Sequence, residues 1–316
     1  MAAQSDSRDI RIERVYDAPV SAVWEAWTDP ALVAQWWGPR GFSLTTHSKD
    51  LRAGGTWRYT MHGPDGKDWP NITTYHVVEP YKKLVYDHGA TEHTPPLFRV
   101  TVTFEEVDGK TKMVMISTFA TPEAARETAK MIKRVGGTST WDRLDEHLAQ
   151  TRSGKERFVI NRTFEAPIER VFEHWTDAAL LAKWLAPAGA TVRFVRSDIR
   201  VGASALFAMT SPHGITHVRS EYLAIERPRR VVYAQQFVDE HEKLAAAPGA
   251  DVWPATLLVT VLLAEETADR TRVTVTCEPY GATSDAELRA FVHERTGMTL
   301  GWTGSFDALE EMVERG

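Results

Sequence analysis

The chain has 316 residues, 43% of them hydrophobic and 25% charged, with a formal net charge of −6 at pH 7, a length and balance that allow two ordinary globular domains. The negative balance excludes a general attraction to nucleic acid or to anionic membranes, and no run nears the roughly 18 apolar residues of a membrane span. A single cysteine, Cys277, excludes an internal disulfide, and MAAQSDSRDI lacks the basic and apolar regions of a secretory signal, so a cytoplasmic protein is expected.

A short alternating strand over about 8–16 opens the predicted elements and ends at Ala18-Pro19, where proline suits a first helical turn. VSAVWEAWTD (20–29) sets Val20, Val23, Trp24 and Trp27 at helical spacing. ALVAQWW (31–37) reads as a second short helix, stopped by Gly38-Pro39. Six strand-like runs follow: FSLTTHSKDL, GTWRYTMHG, ITTYHVVE, KLVYDH, FRVTVTFEEV and KMVMISTF, with turn signals at PDG (64–66) and VDGK (107–110). A long helical segment, about 122–150 with Gly136-Gly137 inside it, closes the series.

The series then repeats. Residues 14–39 align without gaps to 162–187, and 13 of the 26 positions are identical. The likeness continues at 53–66 against 201–214, at HVVEPYKKLVY (76–86) against LAIERPRRVVY (223–233), and at GGTSTWDRLDEHL (136–148) against GWTGSFDALEEMV (301–313). A period this long is no solenoid, so each copy holds its own core. The polar stretch QTRSGKER (150–157) marks the boundary, giving domains 1–152 and 153–316. Strand, two short helices, six strands and a long helix make an α+β domain: a curved antiparallel sheet gripping a long C-terminal helix, with a cavity between them.

The stretches APVSAVWEAWTDPALVAQWWGP, GGTWRYTMHGPDG and VVEPYKKLVY, in that order and again in the second copy, resemble the activator of heat-shock-protein-90 ATPase homologue-like (AHSA-type) family of the START/SRPBCC superfamily. The resemblance implies the helix-grip fold of the birch-pollen allergens, twice. Members of that superfamily bind lipids, hormones and polyketides, and some act as cyclases or drug-sequestering resistance proteins. Nothing here is similar to the separate N-terminal domain of the co-chaperone, so chaperone activation is not implied.

Comparison of the copies sorts the candidates. Trp36 returns as Trp184, as a packing position should, whereas Trp37 becomes Leu185 and is open to a ligand role. Asp29 and Asp177 sit where the second short helix starts and read as caps. In GTWRYTMHG one face carries Trp57, Tyr59 and Met61, matched by Ala205, Phe207 and Met209; that face is expected inward. Tyr86 and Tyr233 coincide, flanked by His88 and Gln235. Tyr59, Tyr75, His76, Tyr86, His88 and Arg99 carry groups able to do acid–base chemistry. The pairs His88/His93 and His213/His217 lack metal-site geometry, and HExxH, GxSxG, P-loop and dinucleotide motifs are absent, so neither metal nor cofactor is expected. Cys277 reads as a small buried residue. The connection VDEHEKLAAAPGADVWPAT (238–256) is longer than its counterpart and reads either as a lid that sends Trp253 into the mouth of the second cavity or as a disordered surface ornament. The leading expectation is a hydrophobic or aromatic small molecule, lipid-, polyketide- or drug-like, held in the cavity for transport, sequestration or resistance. The alternatives are an aromatase/cyclase or hydrolase using a cavity Tyr or His, and a co-chaperone-like module with a protein partner.

Overall fold

The computed structural model describes residues 7–134, 139–187 and 189–315, so Gly136-Gly137 lie outside the described residues. The chain forms two compact units, Met1–Gly154 and Lys155–Gly316. The first contains β1 (Asp9–Tyr16), α1 (Val20–Thr28), α2 (Pro30–Trp36), β2 (Ser43–Lys49), β3 (Thr56–His62), β4 (Asp68–Glu79), β5 (Lys83–Ala90), β6 (Phe98–Val107), β7 (Lys110–Phe119), α3 (Pro122–Arg134) and α4 (Ser139–Ser153). The second contains β8 (Phe158–Phe164), α5 (Ile168–Thr176), α6 (Ala178–Trp184), β9 (Thr191–Ser197), β10 (Ser204–Ser211), β11 (Gly214–Glu226), β12 (Arg230–Val238), β13 (Leu257–Thr267), β14 (Arg270–Pro279) and α7 (Asp285–Arg315).

Each unit has one antiparallel seven-stranded sheet, ordered β1-β7-β6-β5-β4-β3-β2 and β8-β14-β13-β12-β11-β10-β9. Six strands meander and the first strand of the unit returns to pair with the last. The β6–β7 hairpin turns on Asp108 and Gly109, both at positive φ (51° and 75°), which matches the right-handed twist of the strands. Helices lie on one face only, and that face carries the core. This is the helix-grip arrangement, built twice.

The repeated sequence phrase is architecture. Asp29 Oδ1 accepts from the backbone N–H groups of Ala31 and Leu32 at 2.7 and 3.1 Å, and Asp177 Oδ1 from those of Ala179 and Leu180 at 2.8 and 3.0 Å. Such caps contribute about 1 kcal/mol each. Trp36 and Trp184 are fully buried, and their indole Nε1 groups donate to Ala26 O and His174 O, each at 2.9 Å. Trp27 stacks on Trp141 at 5.5 Å and 14°, as Trp175 stacks on Trp302 at 5.9 Å and 26°. The high tryptophan content therefore serves the contact between the helices and the sheet. Cys277 is buried.

The closing helical segment differs between the units. In the second it is one helix of 31 residues, α7. In the first it comprises α3, which turns Ala125, Thr128 and Ile132 toward the sheet, and α4, which buries Trp141, Leu144 and Leu148. Arg143 of α4 donates to the carbonyls of Gln35, Gly38, Pro39 and Phe42 at 2.9–3.1 Å, and Arg40 forms a buried ion pair with Glu146. The Gly38-Pro39 stop is thus clamped onto α4.

Candidate ligand-binding site

Strand register brings the inward side chains into rows across the first sheet. One row runs Tyr75, Tyr86, Val100, Ser117, Ile10 from β4 to β1; the next holds His88, Phe98 and Phe119. Above these rows lies a cavity of about 130 Å³. Its floor is the sheet: Ile10 and Ile12, Tyr86 and His88, Phe98 and Val100, and Met115, Ser117 and Phe119. Its walls and roof are Trp37 beyond α2, Thr128 and Ile132 of α3, and Trp141 of α4. No charged side chain lines it among the described residues.

Four polar groups break the apolar lining: the Tyr86 hydroxyl, the His88 imidazole, and the hydroxyls of Ser117 and Thr128. None makes a side-chain hydrogen bond among the described residues. His88 lies against Phe98, with ring centroids 5.0 Å apart, and 6.4 Å from Trp37. The residue is half-buried and lines the cavity. Burial without a charged partner lowers the His88 pKa to about 4, so the imidazole is neutral at pH 7. Burial likewise pushes the phenols of Tyr86, Tyr75 and Tyr59 up, with the neighbouring tyrosines adding to the shift at Tyr86 and Tyr75. The site is therefore a neutral cavity holding unused hydrogen-bonding capacity.

The second unit has its cavity elsewhere. About 20 Å³, room for one water-sized group, is enclosed by Trp175, Leu181 and Leu185, by Phe194, Ala205 and Phe207, and by Ser220, Tyr222, Tyr233 and Gln235. In the first unit Trp37 and Trp57 occupy the places of Leu185 and Ala205 and meet edge to face at 5.4 Å, filling that end. At the other end the second unit sets Phe158 and Cys277 where the first has Ile10 and Ser117; its row runs Tyr222, Tyr233, Val259, Cys277, Phe158.

A family model, Activator of Hsp90 ATPase homolog 1-like protein, matches residues 17–149 and 165–314. The chain belongs to this family. Among solved structures, a protein from Arthrobacter aurescens is 30% identical, covering 46% of this chain and 87% of its own, with a TM-score of 0.42. Protein Ms6760 from Mycobacterium smegmatis is 29% identical over 46% of this chain and 94% of its own, with a TM-score of 0.43. The di-domain ARO/CYC BexL from the BE-7585A biosynthetic pathway is 15% identical, over 97% of this chain and 98% of its own, with a TM-score of 0.38. No curated protein matches the chain.

Within this activator-homologue domain pair, the residues singled out by sequence divide as follows. Trp37, Tyr86 and His88 line the first cavity, and Phe207, Tyr233 and Gln235 line the second. Trp57 and Tyr59 are buried and stacked on each other at 4.1 Å, while Met61 packs at the core margin; none of the three lines the first cavity. The Tyr59 hydroxyl reaches toward Trp37 and Thr73 without achieving hydrogen-bond geometry with either. Met209 does not line the second cavity.

Trp253 does not line it either: its ring lies 5.8 Å from Phe291 of α7. The segment that reads as a lid or an ornament folds back on its own strand, with Val238 bridged to Leu244 and the Glu242 carboxylate bound by Arg196 at 2.7 and 2.9 Å. That ion pair and the packing of Trp253 hold it against its own unit. His76 and Arg99 face away from the cavity and meet Asp87 on the outer surface, at 2.8 Å from His76 Nε2 and 2.8 Å from Arg99 Nε. Among the described residues no group of three His, Cys, Asp or Glu is placed to hold a metal ion, and no helix is long and apolar enough to cross a membrane.

Ser117, Thr128, Ile132 and Trp141 went unnoticed in the sequence. Ser117 had a signal: it is a polar residue on the face of KMVMISTF that also carries Met113 and Met115.

Proposed function

We propose that the first unit binds an uncharged, largely apolar small molecule in the cavity between its sheet and α3–α4. The observation that carries this reading is the set of unpartnered polar groups, Tyr86, His88 and Ser117, facing an otherwise apolar space of about 130 Å³. Buried polar groups are normally satisfied, so those left open to a cavity are available to a guest. The volume is comparable to that of cavities that take a single benzene-sized ring. It suits one ring or a short acyl segment; a full lipid chain requires α3 to move. The absence of lining charge among the described residues disfavours an ionised guest, since nothing offsets its desolvation.

Binding is favoured over proton-transfer catalysis by the same groups. A general base works best with a pKa near the operating pH, and His88, lowered to about 4, is a weak one. Ser117 stands on β7 and His88 on β5, with β6 between them. They also lie in adjacent rows, so two strand spacings of roughly 4.8 Å and two residues of rise separate their backbones, and no Ser–His hydrogen bond forms. Native mass spectrometry of freshly purified full-length protein tests the reading. One neutral small molecule per chain is expected to co-purify or to load from a panel of aromatic and short aliphatic compounds. Failure of every compound to bind at millimolar concentration refutes it.

A further inference from the structure

Resting on that reading, we infer that the preferred guest is a single uncharged ring with a polar atom on each of two sides, gripped between His88 and Ser117 in the first unit alone. The juxtaposition comes from the sheet. Tyr86 and His88 are successive inward residues of β5, Ser117 is inward on β7, and Val100 and Phe98 of β6 form the apolar strip between them. Ser117 lies in the row of Tyr86 and Val100 and His88 in the next row, so two strand spacings and two residues of rise set the His88 and Ser117 backbones about 12 Å apart on the diagonal. Allowing about 2.8 Å for a hydrogen bond at each end, what remains is about the breadth of one ring with its substituents. Trp141 and Ile132 close the space from above, so a flat guest lies over Val100. The anchors accept and donate: a neutral imidazole has one donor and one acceptor nitrogen, and a serine hydroxyl does both. A phenol, an alcohol or a ketone therefore fits either end, while a carboxylate meets no cation.

The second unit serves as an internal control. Gln235 stands for His88 and Cys277 for Ser117, and Phe158 and Leu257 stand where the first unit has Ile10 and Phe98. Phe158, Leu257 and Cys277 are buried there, and the 20 Å³ cavity of that unit lies at the other end. Stoichiometry should be one guest per chain.

The test is calorimetric titration of the full chain with toluene, phenol, resorcinol, 4-hydroxyacetophenone and benzoate, repeated for Ser117→Ala, Ser117→Cys and His88→Leu. One site per chain is expected. Resorcinol or 4-hydroxyacetophenone should lose about tenfold in affinity on Ser117→Ala and on His88→Leu, the effect of one neutral hydrogen bond. Toluene should be unaffected by Ser117→Ala, and its retention shows that the variant cavity is intact. Benzoate should bind at least about a hundredfold more weakly than the uncharged rings. Toluene binding with no loss of the two-ended probes on either substitution, or benzoate binding as tightly as they do, overturns the two-anchor inference and leaves the cavity reading standing. Failure of every probe to bind, toluene included, removes both.

Discussion

Acidification acts on the first unit through His88. In the folded chain its pKa is lowered to about 4, from 6.5, because burial removes water and supplies no anion. Between those values the folded state binds fewer protons than the unfolded state, so stability falls as pH falls. The linkage relation gives a loss of about 2 kcal/mol between pH 7 and pH 5, approaching about 3 kcal/mol near pH 4. Substituting Gln, the residue of the second unit, keeps a polar side chain and removes the titration. Urea denaturation of the full chain at both pH values, wild type against His88→Gln, isolates this contribution because the carboxylates common to both proteins cancel. Wild type should lose about 2 kcal/mol more than the variant, and the His88 imidazole should titrate near pH 4 by NMR. An unshifted midpoint near 6.5, or identical pH slopes for the two proteins, refutes the reasoning. A bound guest should be released in the same acid range, since a charged imidazole cannot stay desolvated beside an apolar ring.

Asp29→Ala and Asp177→Ala should each cost about 1 kcal/mol by thermal denaturation, because the two caps have the same geometry; a loss in one unit only would break the equivalence of the repeats. Arg143→Ala leaves four carbonyls of the segment after α2 without their donor and should cost about 2–4 kcal/mol in chemical denaturation, with no change if water replaces it freely. Lys49 donates to Trp27 O at 2.8 Å and sits 4.2 Å over the Trp57 ring. Burial lowers its pKa to about 7, against the pull of Asp29. Isotope-labelled methylation should show one lysine titrating near 7. Because its folded pKa lies below the unfolded 10.5, its contribution to stability should be lost as pH falls toward 7.

Packing was more legible in the sequence than the site. Trp36 and Trp184 donate to backbone carbonyls ten residues earlier; a backbone acceptor tolerates Ala26 in one copy and His174 in the other, so the tryptophan persists while its surroundings drift. Strand parity was readable in β3, where Trp57 and Tyr59 turn inward. Along β4 a register shift between Tyr75 and Val77 interrupts the alternation, so the outward pairing of His76 with Asp87 was not legible. Parity did not say which inward residues face open space. Trp57 and Tyr59 point the right way, yet Trp37 and Trp57 meet edge to face at 5.4 Å and neither Trp57 nor Tyr59 lines the first cavity. Cavity location depends on how side chains from α2, α3 and distant strands share volume, a many-body property with no local signature. Ser117 was hidden for the same reason: its meaning comes from Val100 and His88, which reach it only through strand register. Trp253 misled because a long connection and a large aromatic suggest a lid, whereas Phe291 offered a packing partner.

Anomalous diffraction from crystals of the full chain soaked with 4-bromophenol locates a guest most directly. One bromine site per chain is expected, above Val100 and between His88 and Ser117 of the first unit, with the second unit empty. A bromine site in the second unit, or on the outer face of either sheet with the first cavity unoccupied, would contradict the assignment.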